Sequence, residues 1–418
     1  MSTPASQAGL RAALRWRPGR LARQSSGLLG WMLVRAAAQA ATVLMLARTL
    51  GSAGYGQFVA CVAVASFLVP FAGLGLSHIL LRNGAKDAAH LQGYLAFAMR
   101  GWLLSLVPVV ATGVALAAWL LPADMPRTAA WTAIASEVVA SSLAELCARR
   151  EQAAHRTHAF GALNAGLPVL RLLALALLST LGPRSAEAAL WTFAAASLAY
   201  ALMLAQRLPW RPRPAPVLGP EPMAAGSGLP LCLSAFALRL QGEFNKPMLA
   251  QLGYGLAGSY NVAQRATELV AMPLLALQEA LWPRLYSHGD PAAALRHFGG
   301  WMLGLALLCG GLIWIGAPLL PLWLGPDFQG AADIARLLAG LPLVQALRGL
   351  VNFQVIHAGR MPLIGWACAA GAAFSVTALA WLVPTLAAPG AVLVTYGSEL
   401  LMTLWMLAGM HRRRSPTA

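Results

Sequence analysis

Apolar runs of about 20 residues, the length of a bilayer-crossing helix, recur along the whole chain. They predict spans at 27–47, 55–80, 93–121, 128–148, 158–182, 187–206, 229–252, 257–283, 297–323, 329–355, 362–385 and 388–410. Trp31, Trp119, Trp131, Trp191, Trp282, Trp323 and Trp405 fall near span ends, where indole rings anchor at the membrane interface. The pattern lapses at length only across 207–228, a stretch rich in Pro, Gly and Arg with no helical period. The expected fold is an all-α polytopic membrane protein with twelve transmembrane helices in two six-helix lobes. Its parts are a basic arm (1–26), a first lobe (27–206), a linker (207–228), a second lobe (229–410) and a basic tail (411–418).

The lobes read as repeats. Leu50-Gly51, Ala53-Gly54, Pro70 and Arg82 in the first find counterparts in Leu252-Gly253, Ala257-Gly258, Pro273 and Arg284 at a nearly constant offset of about 200 residues. An even number of spans per lobe makes this a parallel repeat, with its axis along the membrane normal and a substrate site between the halves. The two prolines should kink the second helix of each lobe.

The formal charge of +16 suggests a nucleic-acid partner until its placement is considered. No basic run is interleaved with polar and aromatic residues on a soluble module. The cations instead cluster in alternate loops: with the N-terminus in the cytoplasm, nineteen basic residues lie in cytoplasmic segments and only Arg48, Arg127 and Arg184 lie outside. That is the positive-inside pattern, and it places both termini in the cytoplasm. Cys61, Cys147, Cys232, Cys309 and Cys368 all sit in apolar segments without a CxxC pair, which predicts buried free thiols. Gly300-x-x-x-Gly304 matches a helix-packing motif. The signatures HExxH, GxxxxGK[ST], GxSxG and GxGxxG are missing, so the residues predict neither an enzyme nor a metal or cofactor site.

Charge inside the spans is the informative feature. Arg35, Arg100, Arg171, Arg239, Lys246, Arg265, Arg336 and Arg348 face Glu137, Glu145, Glu243, Glu268, Glu279, Asp333 and Glu399. Each would cost about 2.5–3.5 kcal/mol at a helix centre, so most must meet one another, the interface or water. Gly228 to Tyr286 is the densest stretch. On a helix Arg239, Glu243 and Lys246 share one face within about 60°. After an expected break at Tyr254–Gly258, Asn261, Arg265, Glu268 and Glu279 share another. Arg265 can pair with Glu268, and Glu243 with Arg239 or Lys246. Arg100 and Arg336 read as interfacial snorkellers, His78 as a helix-end residue, and Arg35, one turn before Gln39, as the best basic candidate of the first lobe. Two apolar helices with charged sides imply a wet cavity that holds a charged substrate.

The stretches LARTLGSAGYGQFVA (46–60), FAGLGLSHILLRN (71–83) and LRLQGEFNKPMLAQLGYGLAGSYNVAQRATELVAMPLLALQEALWPRL (238–285) resemble the polysaccharide-biosynthesis flippases of the multidrug/oligosaccharidyl-lipid/polysaccharide exporter (MOP) superfamily. The resemblance implies a V-shaped pair of six-helix lobes around a cationic cavity. It also implies flipping of undecaprenyl-diphosphate-linked oligosaccharide across the bacterial plasma membrane for surface polysaccharide synthesis. Arg35, Arg239, Lys246 and Arg265 would bind the diphosphate, and Glu243 and Glu268 would hold them or relay protons. Partners would be membrane lipids, a coupling ion (H+ or Na+), and a polysaccharide polymerase and glycosyltransferases. Many relatives carry an Asp in helix seven where this chain has Glu243 and Asn245-Lys246. The alternatives are a cation-coupled multidrug antiporter of the same superfamily and a non-transporting membrane partner of a polysaccharide assembly complex.

Overall fold

The computed structural model describes residues 20–208, 228–278 and 291–411, and these contain helices but no strand. The first lobe holds α1 (Arg20–Leu68), α2 (Leu76–Lys86), α3 (Leu91–Leu120), α4 (Arg127–Ala153), α5 (Thr157–Leu181) and α6 (Ala186–Arg207). The second holds α7 (Leu229–Glu243), α8 (Asn245–Leu252), α9 (Tyr254–Val270), α10 (Pro291–Gly316), α11 (Leu319–Leu324), α12 (Gln329–Leu338), α13 (Leu341–His357) and α14 (Met361–His411). Most of the linker, the terminal segments beyond these bounds, Glu279, Trp282 and Arg284 lie outside the described residues.

Among the described residues seven helical stretches, rather than twelve, are long and apolar enough to cross a membrane. Two physical reasons account for the difference. Gly27–Phe71 (45 residues) and Met361–His411 (51 residues) each run as one kinked stretch where two spans were expected, bent at Gly51 (φ 68°) and Ala387 (φ 53°). The charged stretches at 128–148, 229–252 and 257–283 are diluted by ionised and small residues, and α7 and α8 are divided by a turn at Phe244. Pro70 does break its helix, through a 3-10 turn at Val69–Phe71 that leads to α2. Leu104 (80% exposed), Ile315 and Trp381 (76% each) present large apolar surfaces that only lipid can cover. The chain is a multi-pass membrane protein. The five cysteines are free and buried, as expected.

The lobes meet where the second arm of α1 crosses α9. The approach is set by two glycines that face each other's partner helix. A Cβ at Gly56 would stand 1.8 Å from the Tyr254 carbonyl oxygen, and one at Gly258 would stand 2.2 Å from that of Ser52. The contact is reciprocal, as a two-fold relation between repeats requires. It also corrects the expected register: Gly56, not Gly54, is the counterpart of Gly258, and this is the same offset that relates Gly51 to Gly253. The helix break is likewise narrower than expected. It is confined to Gly253 (φ 155°), and Tyr254–Val270 is continuous helix.

Cross-lobe bonds close the bundle at the end that loop charge assigns to the outside. Tyr254 Oη donates to Asp124 Oδ1 (2.8 Å), Gln251 Nε2 to the Leu120 carbonyl (3.1 Å) and Arg48 Nε to the Trp323 carbonyl (2.5 Å). Toward the opposite end Gly75 and Gly228 are in backbone contact, and Cys232 Sγ donates to the Pro70 carbonyl (3.1 Å). Among the described residues the Gly300/Gly304 motif packs against no helix: a Cβ at either position would meet none of them within 4 Å.

Gly56→Ala forces a methyl into backbone and should destabilise the fold by about 1–3 kcal/mol. Gly300→Ala meets open space and should be neutral or slightly stabilising, because alanine is the better helix former. Thermal melts of the purified variants check the pair.

Candidate functional site: a charged inter-lobe cleft

A cavity of about 220 Å³ opens between α1 and α5 of the first lobe and α8 and α9 of the second. Its apolar wall includes Phe58, Val62, Leu269 and Met272, and its polar wall includes Gln39, Arg171, Glu243, Lys246, Arg265 and Glu268. The backbone keeps helical angles through Phe244 (φ -68°, ψ -22°), and Lys246, one turn after Glu243, is 1% exposed and pairs with it. Glu243 is two-handed: its other oxygen takes Arg265 Nη2 at 3.1 Å. Arg265 Nη1 reaches Glu268 Oε2 at 2.7 Å. Gln264 Nε2 donates to Glu268 Oε1 (2.9 Å) and to the Gly242 carbonyl (3.2 Å), tying α9 to α7. Lys246, Arg265, Glu243 and Glu268 therefore form a neutral set of two cations and two anions. Arg265 and Glu268 are the accessible members, with side chains 40% and 45% exposed, while Glu243 and Lys246 lie behind them. Behind it, Asn261 Nδ2 donates to Tyr55 Oη at 2.5 Å, fixing α9 to α1.

The other two predicted cations stand apart, which corrects the single-site expectation. Arg239 lies one turn before Glu243, but Lys246 and Arg265 occupy that carboxylate and Arg239 lines a separate cavity of about 220 Å³. That cavity is walled by His78, Trp102, Glu145 and Arg149 of the first lobe. His78 Nε2 stands 3.7 Å from Glu145 Oε1, so this helix-end residue is also part of the wall. Arg35 lies close enough to Arg239 and Glu145 to feel both charges. Among the described residues neither Arg35 nor Arg239 makes a hydrogen bond or an ion pair, and both are exposed. The structure thus separates one ion-paired cluster in the cleft from two guanidinium groups without a contact partner among the described residues, one from each lobe.

Sequence reasoning counted Arg171 and Glu137 among the intramembrane charges but gave them no role. They are an ion pair between α5 and α4, buried at 12% and 9% side-chain exposure. Arg171 also donates through Nε to Ser197 Oγ (2.9 Å) and lies over the Phe193 ring at 4.1 Å. Ser141 Oγ completes the carboxylate at 2.6 Å. Arg171 lines the cleft opposite Arg265, so the first lobe also contributes a cation to the site.

No protein-family model matches the chain, and no curated protein sequence is similar to it. Solved structures share its fold. An inward-facing multidrug resistance MATE family transporter of the MOP superfamily aligns over 91% of this chain and 96% of its own, at TM-score 0.67 and 14% identity. The lipid II flippase MurJ, in an inward closed conformation, aligns over 91% and 87%, at TM-score 0.72 and 11% identity. The MATE multidrug transporter DinF-BH aligns over 94% and 95%, at TM-score 0.58 and 14% identity. The two-lobed helical architecture is that of these exporters, as the sequence motifs implied.

Removing Glu243 strands Lys246 in a dry site. Glu243→Gln should therefore cost about 3–5 kcal/mol. The paired replacement Glu243→Leu/Lys246→Met should recover most of that loss, because it removes both buried charges. Thermal unfolding of the detergent-solubilised variants decides this.

Proposed function

We propose that this protein carries an anionic, lipid-linked headgroup across the bacterial plasma membrane, its lobes rocking about the α1–α9 crossing. The cargo class is an undecaprenyl-diphosphate oligosaccharide destined for surface polysaccharide. The observation that carries the reading is the pair Arg35 and Arg239: one cation per lobe, beside the cleft and exposed, neither held in a hydrogen bond or contact ion pair among the described residues, with Glu145 and Glu243 acting on them only from beyond contact distance. A diphosphate offers what they lack, because guanidinium donors match phosphate oxygens two at a time. Arg265 continues the path inward and can exchange Glu268 for the passing anion, while Glu243 keeps Lys246 in place. The lipid tail stays in the bilayer as the headgroup follows the polar wall. The coupling ion in this reading is a proton or Na+, taken up at Glu243 or Glu268. Glycosyltransferases would supply the cargo and a polymerase would consume it on the far side. Loop charge supports cytoplasmic termini and the lobe limits given above.

The exporter fold equally accommodates a cation-coupled multidrug antiporter. The charge balance favours the anion: each carboxylate in the cleft already holds a cation, and a cationic drug would need one free.

The test is export of lipid-linked sugar in cells that depend on this protein. The double variant Arg35→Ala/Arg239→Ala should lower export by about 10–100-fold, the value of one or two charge-assisted hydrogen bonds. Arg100→Ala, an exposed position on α3, should leave it unchanged. Full export from the well-expressed double variant would reject the reading, and gradient-driven dye efflux by the wild type would replace it with the antiporter.

A further inference from the structure

The second lobe holds a chamber of its own, about 200 Å³, between α7, α9, α13 and α14. Its wall is made of amides and hydroxyls, among them Gln241, Asn245, Gln264, Gln345, Thr395 and Ser398. Two amide oxygens, Asn245 Oδ1 and Gln264 Oε1, are buried and meet no donor among the described residues. Asn245 is 3% exposed overall. A buried acceptor left alone is unfavourable, and two in one chamber point to a ligand that brings donors. The charge here is already balanced. Arg348 Nε stands 2.5 Å from Glu399 Oε2 in a pair without hydrogen-bond alignment, and Arg265 holds Glu268. A cation would need those occupied carboxylates, and among the described residues no three His, Cys, Asp or Glu side chains cluster to hold a metal. An anion would meet the unpartnered carbonyl oxygens. A neutral, hydroxyl-rich ligand satisfies the wall.

The chamber adjoins the cleft, since Glu268 lines both. The partition is the side chain of Gln264, which bridges Gly242 and Glu268. We propose that this chamber is a carbohydrate subsite. Resting on the transport reading above, it receives an uncharged sugar of the cargo past Gln264 while the diphosphate remains on Arg265. Sugar hydroxyls donate to Asn245 Oδ1 and Gln264 Oε1, and Arg348 and Gln345 donate to sugar oxygens. The chamber thereby selects the sugar, and the arginines select the lipid anion.

The full-length protein in lipid nanodiscs tests this with two probes. Saturation-transfer NMR reads contact with a free neutral disaccharide, and direct titration compares a polyprenyl diphosphate with and without that disaccharide attached. The wild type should contact the free sugar and bind the glycosylated lipid about tenfold more tightly, as two net hydrogen bonds imply. Ser398→Leu, which fills the chamber, should abolish both effects and leave binding of the bare lipid unchanged, which also certifies its fold. Gln345→Leu should reduce both effects by a route that spares the Ser398 packing. No transfer to the wild type overturns the subsite, as does a sugar preference that survives both variants. Sodium-dependent thermal stabilisation lost in Asn245→Ala would mark a cation site and overturn it too. If neither lipid binds but the free-sugar contact is present and lost in Ser398→Leu, the transport reading fails and the subsite stands.

Discussion

An ionised side chain left in hydrocarbon costs several kcal/mol, and that cost governs how this chain folds. Each charged group in the apolar helices must find an opposite charge, a water-filled cleft or the interface. Arg171 takes Glu137, Lys246 and Arg265 share Glu243, Arg265 takes Glu268, and Arg348 takes Glu399. These pairs place α4 against α5, α7 and α8 against α9, and α13 against α14. The same rule makes the exceptions informative. Among the described residues, Arg35 and Arg239 are the intramembrane cations beside the cleft that make no contact ion pair, with Glu145 and Glu243 near but not touching, and they sit on opposite lobes.

Backbone geometry supplies the second constraint. The contact between the lobes is close, small and symmetric. The crossing of Gly56 and Gly258 has these properties, because each glycine accepts the backbone of the other lobe's helix. The hydrogen bonds of Asp124, Leu120 and Trp323 lie at that same end. They hold it shut in this conformation, while the cleft with Arg265 lies further along α1 and α9. The charged face of α9 therefore continues from the point where a pair of glycines joins the lobes.

Much of the architecture was legible because bilayer thickness sets a length that apolar runs display directly. The helices and the two-lobed plan followed from it, and so did the buried cysteines. Pairs within a helix or across one turn, Arg265–Glu268 and Lys246–Glu243, were legible from spacing. Pairs between helices were not: Arg171 and Glu137 lie 34 residues apart, and only the packing of α5 on α4 reveals them. The grouping of Arg239 with Lys246 failed because helix spacing could not say which cation takes Glu243, and Lys246 and Arg265 both do. The Gly54 register failed for a related reason. Two candidate glycines two residues apart cannot be ranked until the helix that one of them touches is known. Gly300-x-x-x-Gly304 misled in the other direction, since its small face meets no helix among the described residues.

The central claim is that the cleft receives an anionic lipid headgroup. The most direct measurement is site-specific photo-crosslinking to a radiolabelled polyprenyl-diphosphate sugar. A photoreactive residue at Gln39, in the cleft wall, is compared with one at Leu177, which is 60% exposed on α5. The account predicts strong labelling at Gln39 that unlabelled diphosphate lipid competes away and neutral polyprenol does not, with only weak, uncompeted labelling at Leu177. Equal labelling at both positions, or competition by the neutral lipid, would contradict it.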